Sequence, residues 1–115
     1  MRITNRTTGQ ELATTAIAAH SLWARFRGLM LRRRLEPGQG LVIEPCSSIH
    51  MMFMRFPIDA IFFDRDHTVT RVARSVRPWR GFAFGGRGAR GVVELPPGAA
   101  AGTEPGHVLR FDAGA

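Results

Sequence analysis

The chain has 115 residues, of which 44% are hydrophobic and 22% charged, and this composition excludes a disordered or fibrous protein. Its sixteen basic residues, all arginines, exceed nine acidic ones and give a net charge of +7. Such uniform arginine use suggests biased codon usage as much as selection, so the charge alone is weak support for a nucleic-acid partner. A single cysteine excludes an intrachain disulfide and a cysteine-rich zinc site.

These properties predict one domain over residues 1–115 in a reducing compartment. The N-terminal stretch is polar and lacks the apolar core of a signal peptide, and no apolar run approaches the roughly 18 residues of a membrane span. We therefore expect a cytoplasmic protein without a membrane association. The residues give no indication of a cofactor.

The first elements in chain order are two strands and a helix. The segment MRITNRTTGQELATTAIA predicts two strands separated by a turn at Thr8 and Gly9. In the segment HSLWARFRGLMLRRRLEPG the spacing of the apolar residues changes to that of a helix. This segment therefore predicts one short helix with Ser21 as its N-cap. Its apolar stripe has helical spacing and consists of Leu22, Phe26, Leu29 and Met30.

The rest of the chain predicts short strands, because thirteen glycines and seven prolines interrupt it. The strand segments are GLVIEP, SIHMMFM, IDAIFFD, VTRVARSV, VVELPPG and GHVLRF, and the two phenylalanines of RGFAFGG add a very short one. The segment DRDHT forms a turn in which His67 occupies the position that glycine would adopt most easily. The resulting fold class is mainly β.

Several of these segments together resemble a known family. RGLMLRRRLEPGQGLVI, IHMMFMRFPIDAIFFDRDHTV, RPWR and VVELPPG occur in this order, and they are similar to motifs of the bacterial and archaeal family called domain of unknown function 192. The resemblance covers roughly residues 10–112. It implies a compact, jelly-roll-like sandwich or barrel with one short N-terminal α-helix, and it implies no established activity. This chain departs from many members in lacking a signal peptide and in its short MRFPID linkage.

The segment HMMFMRFPID, residues 50–59, allows a soft-metal site. On a strand, His50, Met52 and Met54 share one face, and thioether and imidazole ligands suit Cu(I). The simpler interpretation is that these methionines fill irregular gaps in a core. The prediction is therefore no metal, with the Cu(I) set as an alternative.

A nucleophilic enzyme is a second possibility, since Cys46 precedes His50 by four residues and Asp59 could complete a triad. An extended strand would separate Cys46 from His50 by about 13 Å, and the spacing matches no hydrolase signature. A small buried thiol beside turn-forming serines is the competing interpretation, so we assign no catalytic residue.

Polyanion binding is a third possibility. Residues 71–90 contain six arginines and no acid, interleaved with Trp79, Phe82 and Phe84. Arginines bind phosphates, and aromatic rings stack on unpaired bases. The competing interpretation is a solvated arginine-rich surface with aromatic side chains that cap one end of the core, and no recognised nucleic-acid module is present.

Asp59 lies on a segment that is apolar on both faces, so we expect a central strand and a carboxylate at least half buried. A buried carboxylate needs a partner, and the predicted partner is Arg27 or else Arg55, in a structural rather than a ligand-binding pair. The leading hypothesis is a small binding or accessory module with an unidentified ligand. Its candidate ligand-binding residues are His50, Arg55, Asp59, Arg27 and Trp79.

Overall fold

The computed structural model describes residues 1–19, 35–50, 56–79 and 81–113, with His50 described through its backbone only. These residues contain ten strands. In chain order they are β1 (Arg2–Asn5), β2 (Glu11–Ala13), β3 (Thr15–Ala19), β4 (Gln39–Ile43), β5 (Ser48–His50), β6 (Ile58–Phe63), β7 (Val69–Val76), β8 (Phe82–Phe84), β9 (Gly91–Leu95) and β10 (Leu109–Asp112). The mainly β prediction is confirmed, and the helix predicted after Ser21 lies outside the described residues.

A five-stranded sheet in the order β3-β4-β9-β6-β7 forms the centre of the fold. Its only parallel pair among the described strands is β3 with β4, and β6 lies antiparallel between β9 and β7. All six residues of β6 are buried, as expected for a strand covered on both faces. The prediction that IDAIFFD forms a central strand is therefore confirmed.

Two smaller sheets cover the two faces of the central sheet. The three-stranded sheet β10-β1-β2 packs Ile3 and Leu109 against Ile61 and the other residues of one apolar cluster. The two-stranded sheet β5-β8 lies on the opposite side and places Ile49 and Ala83 in a second cluster. The described strands thus stack in layers, and the barrel alternative is wrong because the sheets do not close on themselves.

Local backbone geometry agrees with the residues found at the turns. Gly9 has a φ of 82° and His67 a φ of 64°, so histidine does occupy a left-handed position in the DRDHT turn. Gly91 serves a different purpose, since a Cβ at this position would lie 2.4 Å from Cζ of Phe63. The absence of a side chain at Gly91 allows the Phe63 ring to pack against the β9 backbone.

Candidate functional site

Asp59 lies opposite a β-bulge in the neighbouring strand β7. Ile58 pairs with Val76 and Ala60 with Ala73, so two residues of β7 face Asp59 alone. One of them, Ser75, has a φ of 50°, and its backbone N–H donates to Oδ1 of Asp59 at 2.8 Å. The bulge therefore turns a backbone amide of β7 toward the carboxylate.

The second oxygen of Asp59 holds the loop that follows β9. Gly98 N and Ala100 N donate to Oδ2 at 2.9 and 3.0 Å, and the Asp59 residue is only 1% exposed. Arg74, from the same bulge, donates to the carbonyl oxygen of Thr103 at 2.8 Å. The bulge and the carboxylate thus fix the 98–103 loop from two sides.

The burial predicted for Asp59 is confirmed, while its described partners are backbone amides. A carboxylate that accepts three N–H groups is satisfied without a guanidinium. The pair predicted with Arg27 or Arg55 stays a prediction, because both arginines lie outside the described residues. The occupied carboxylate oxygens favour the structural interpretation of Asp59 over a ligand-binding one.

Glu94 is a second buried carboxylic acid that sequence reasoning missed. It is 0% exposed and pairs with Ala60 of β6 and Leu41 of β4 in the central sheet. Because side chains alternate along a strand, Glu94 shares its face with Val92 and the second cluster, opposite to the face of Asp59. An acid inside the otherwise apolar run VVEL was the available signal.

Cys46 lies in the loop before β5. Its Sγ donates to the carbonyl oxygen of Ser48 at 3.1 Å, and its backbone N–H donates to the carbonyl oxygen of Arg90 at 2.7 Å. The triad and the Cu(I) set both need the side chain of His50, which is not described, and Met52 and Met54 lie outside the described residues. Both hypotheses therefore stay predictions. Within the described ranges no three His, Cys, Asp or Glu side chains group as metal ligands.

The outward face of β8 carries large exposed aromatic side chains. Phe82 and Phe84 are 53% and 59% exposed, whereas Ala83 between them is buried. The two rings meet edge to face with centroids 4.5 Å apart. Trp79, which precedes the strand, is 57% exposed and has a φ of 68°. We call Trp79, Phe82 and Phe84 the aromatic surface.

Arginines flank the residues of the aromatic surface in the sequence. Five of the six arginines between positions 71 and 90 are described, and all five are exposed: Arg71, Arg74, Arg77, Arg87 and Arg90. The chain has no acidic residue between Asp66 and Glu94, and Glu94 is buried. The exposed charge of this segment is therefore entirely positive.

Comparisons with known proteins identify the family. The model of DUF192, described as an uncharacterized family, matches residues 3–111. A UPF0127 protein of Thermococcus sibiricus is 35% identical over 98 residues, which cover 82% of this chain. The matched region spans 62% of the length of that relative.

Two solved structures have the same fold. A protein of unknown function from Novosphingobium aromaticivorans has a TM-score of 0.79 and 22% identity, covering 96% of this chain and 82% of that one. A protein of Sinorhizobium meliloti, described as a "putative transcription regulator", has a TM-score of 0.78 and 24% identity, covering 95% and 89%. Among the described residues of the present chain, no helix has the length and apolar character needed to cross a bilayer.

Proposed function

We propose a binding function for this chain, which belongs to the DUF192 family, described as uncharacterized. The geometry best supports a binding module, not an enzyme, that binds single-stranded nucleic acid on the aromatic surface. The observation that carries this proposal is the outward exposure of Phe82 and Phe84, which are 53% and 59% exposed on one strand.

The strand itself separates a packing face from a binding face. Ala83 packs into the second apolar cluster, so β8 is anchored to the core through its smallest side chain. The two phenylalanines on the other face contribute little to that core. Large exposed apolar side chains that are grouped together mark an interaction surface, whereas single scattered ones do not.

The positive charge of residues 71–90 selects the partner. Exposed arginines bind phosphates. Exposed rings stack on unpaired bases, and each stacked base adds about 1–3 kcal/mol to the binding free energy. A single strand exposes both its phosphates and the faces of its bases, whereas a duplex exposes its phosphates but buries the base faces. Charge complementarity and aromatic exposure together therefore favour an unpaired strand.

Two further points agree with this proposal. The sequence left open that the aromatic side chains cap the core, and their exposure of more than half favours an interface instead. The description of the Sinorhizobium meliloti neighbour also agrees with a nucleic-acid partner, although 24% identity supports the fold alone.

We place the protein in the cytoplasm, in keeping with its single cysteine.

Fluorescence anisotropy with a labelled oligothymidylate of about 15 nucleotides tests the proposal. We expect micromolar binding at low salt, weakening as salt rises. Phe84→Ser should weaken binding by about 5-fold to 150-fold, the equivalent of about 1–3 kcal/mol for one lost stacking contact. A duplex of the same length should bind more weakly than the single strand.

Ile17→Ser is the matched control, because Ile17 is also a large apolar residue, 58% exposed, but lies on β3. It should bind the oligonucleotide as the unsubstituted protein does. Arg77→Gln should reduce the salt dependence, whereas Arg110→Gln, on the three-stranded sheet, should not. Equal binding by the Phe84→Ser and Ile17→Ser variants, or no binding at low salt, would contradict the proposal.

A further inference from the structure

A cavity of about 230 Å³ opens between the central sheet and the three-stranded sheet. It lies on the opposite face of the central sheet from the aromatic surface. Its lining residues are Met1, Ala18, Val42, Glu44, Phe63, His67 and Phe111. A dry, apolar cavity of about 150 Å³ is large enough for benzene, so this one has room for a single-ring molecule with a small substituent.

Three aromatic rings form one wall of the cavity. The ring centroids of His67 and Phe111 are 4.7 Å apart, and those of Phe63 and Phe111 are 5.2 Å apart. The His67 ring also stands nearly perpendicular to Phe63, at 85°. This wall offers ring faces and edges to a planar guest.

The backbone fixes His67 in this position. Its N–H donates to the carbonyl oxygen of Asp64 at 3.0 Å, and its carbonyl oxygen accepts from Leu109 N at 2.8 Å. His67 also has a φ of 64°, a conformation that costs a residue with a Cβ about 1–2 kcal/mol. Strained residues of this kind concentrate at functional sites.

Glu44 supplies a negative charge at the cavity. It follows β4, and since side chains alternate along a strand it points to the same side as Val42. Glu44 is exposed, and among the described residues no ion pair or hydrogen bond of its side chain is found. Among the described residues, no arginine forms an ion pair with this carboxylate, so it is available to a ligand.

We propose that this cavity binds a small aromatic cation, whose ring packs against Phe63 and Phe111 and whose amine or amidine group pairs with Glu44. The apolar walls recognise the ring, and the carboxylate at the opening recognises the charge. The site is independent of the aromatic surface, so either proposal can fail without the other.

Benzamidine and benzoate are suitable probes, because they share a ring and carry opposite charges. In a ¹H–¹⁵N NMR titration of the full chain, we expect benzamidine to shift the amide signals of Val42, Phe63, His67 and Phe111. The expected Kd is on the order of 1 mM, as for a fragment of this size. Benzoate should bind several-fold more weakly, and Glu44→Gln should weaken benzamidine about twofold to fivefold, as for one exposed ion pair.

Two neighbouring substitutions on β3 distinguish binding in the cavity from binding elsewhere on the surface. Ala18 lines the cavity, so Ala18→Phe should fill it and abolish the benzamidine shifts. Ile17 points to the opposite side of the strand, so Ile17→Phe should leave them unchanged. Benzamidine shifts that persist in the Ala18→Phe variant, shifts confined to residues 79–84, or equal binding of benzoate would each overturn the proposal.

Discussion

Replacing Asp59 by asparagine tests the structural interpretation of the buried carboxylate. Three backbone amides donate to its two oxygens, one to Oδ1 and two to Oδ2. Asparagine has a single acceptor oxygen. If that oxygen keeps the bonds from Gly98 and Ala100, its NH₂ group must face the N–H of Ser75, and two donors then oppose each other.

The expected loss follows from these contacts. One charge-assisted hydrogen bond is lost, which costs about 1.5–3 kcal/mol, and the remaining two become neutral and weaker. The smaller desolvation cost of the neutral amide offsets part of this loss. We expect the free energy of unfolding to fall by about 2–4 kcal/mol. At about 4 °C per kcal/mol for a domain of this size, the Tm should fall by about 8–16 °C.

Asp64→Asn is the matched control for Asp59→Asn. Asp64 also accepts two backbone amides, from Asp66 and Thr68, but both bind the same oxygen, Oδ1, near the protein surface. Asparagine can keep both bonds with its one oxygen, so we expect a change below about 0.5 kcal/mol. Urea denaturation of both variants gives the comparison. Equal midpoints would refute the argument that Asp59 fixes the 98–103 loop.

Three further predictions concern other parts of the fold. His67→Gly should be more stable than His67→Ala by about 1 kcal/mol, because both lose the ring but only glycine adopts a φ of 64° without strain; equal thermal midpoints would argue against a strained His67. Gly91→Ala should cost about 1–3 kcal/mol, since the new Cβ would lie 2.4 Å from the Phe63 ring, and the additional substitution Phe63→Leu should recover part of this loss in a double-mutant cycle. Iodoacetamide should alkylate Cys46 at neutral pH no faster than free cysteine, because the thiol hydrogen is donated to the Ser48 carbonyl oxygen; rapid stoichiometric alkylation would favour the enzyme hypothesis.

The strands were largely predictable because the sequence either alternates between apolar and polar residues or is continuously apolar where they occur. IDAIFFD is apolar on both sides, and it forms the strand that is buried on both faces. VTRVARSV corresponds to β7, Val69–Val76. The way the sheets are layered was not predictable, since it depends on which apolar faces meet across the core and not on any local pattern.

The candidate site was predictable only in part. The burial of Asp59 followed from its position between apolar neighbours, but its partners come from residues 75, 98 and 100, and backbone amides leave no signal in the sequence. Side chains alternate between the two faces of a strand, so the Phe82 and Phe84 rings lie on one face of β8 and Ala83 lies on the other. Only the packing of Ala83 against the core determined that the phenylalanines occupy the outward face.

Photo-crosslinking would locate a bound single strand on the protein surface. A single-stranded oligonucleotide carrying 5-iododeoxyuridine is bound to the protein, irradiated, and the adduct is located by mass spectrometry of the digested protein. We expect adducts on Trp79, Phe82 or Phe84, since these rings would stack on the bases, and none on Phe111, which belongs to the three-stranded sheet. Adducts on Phe111 and not on the aromatic surface, or no adduct at protein concentrations that saturate binding, would contradict this expectation.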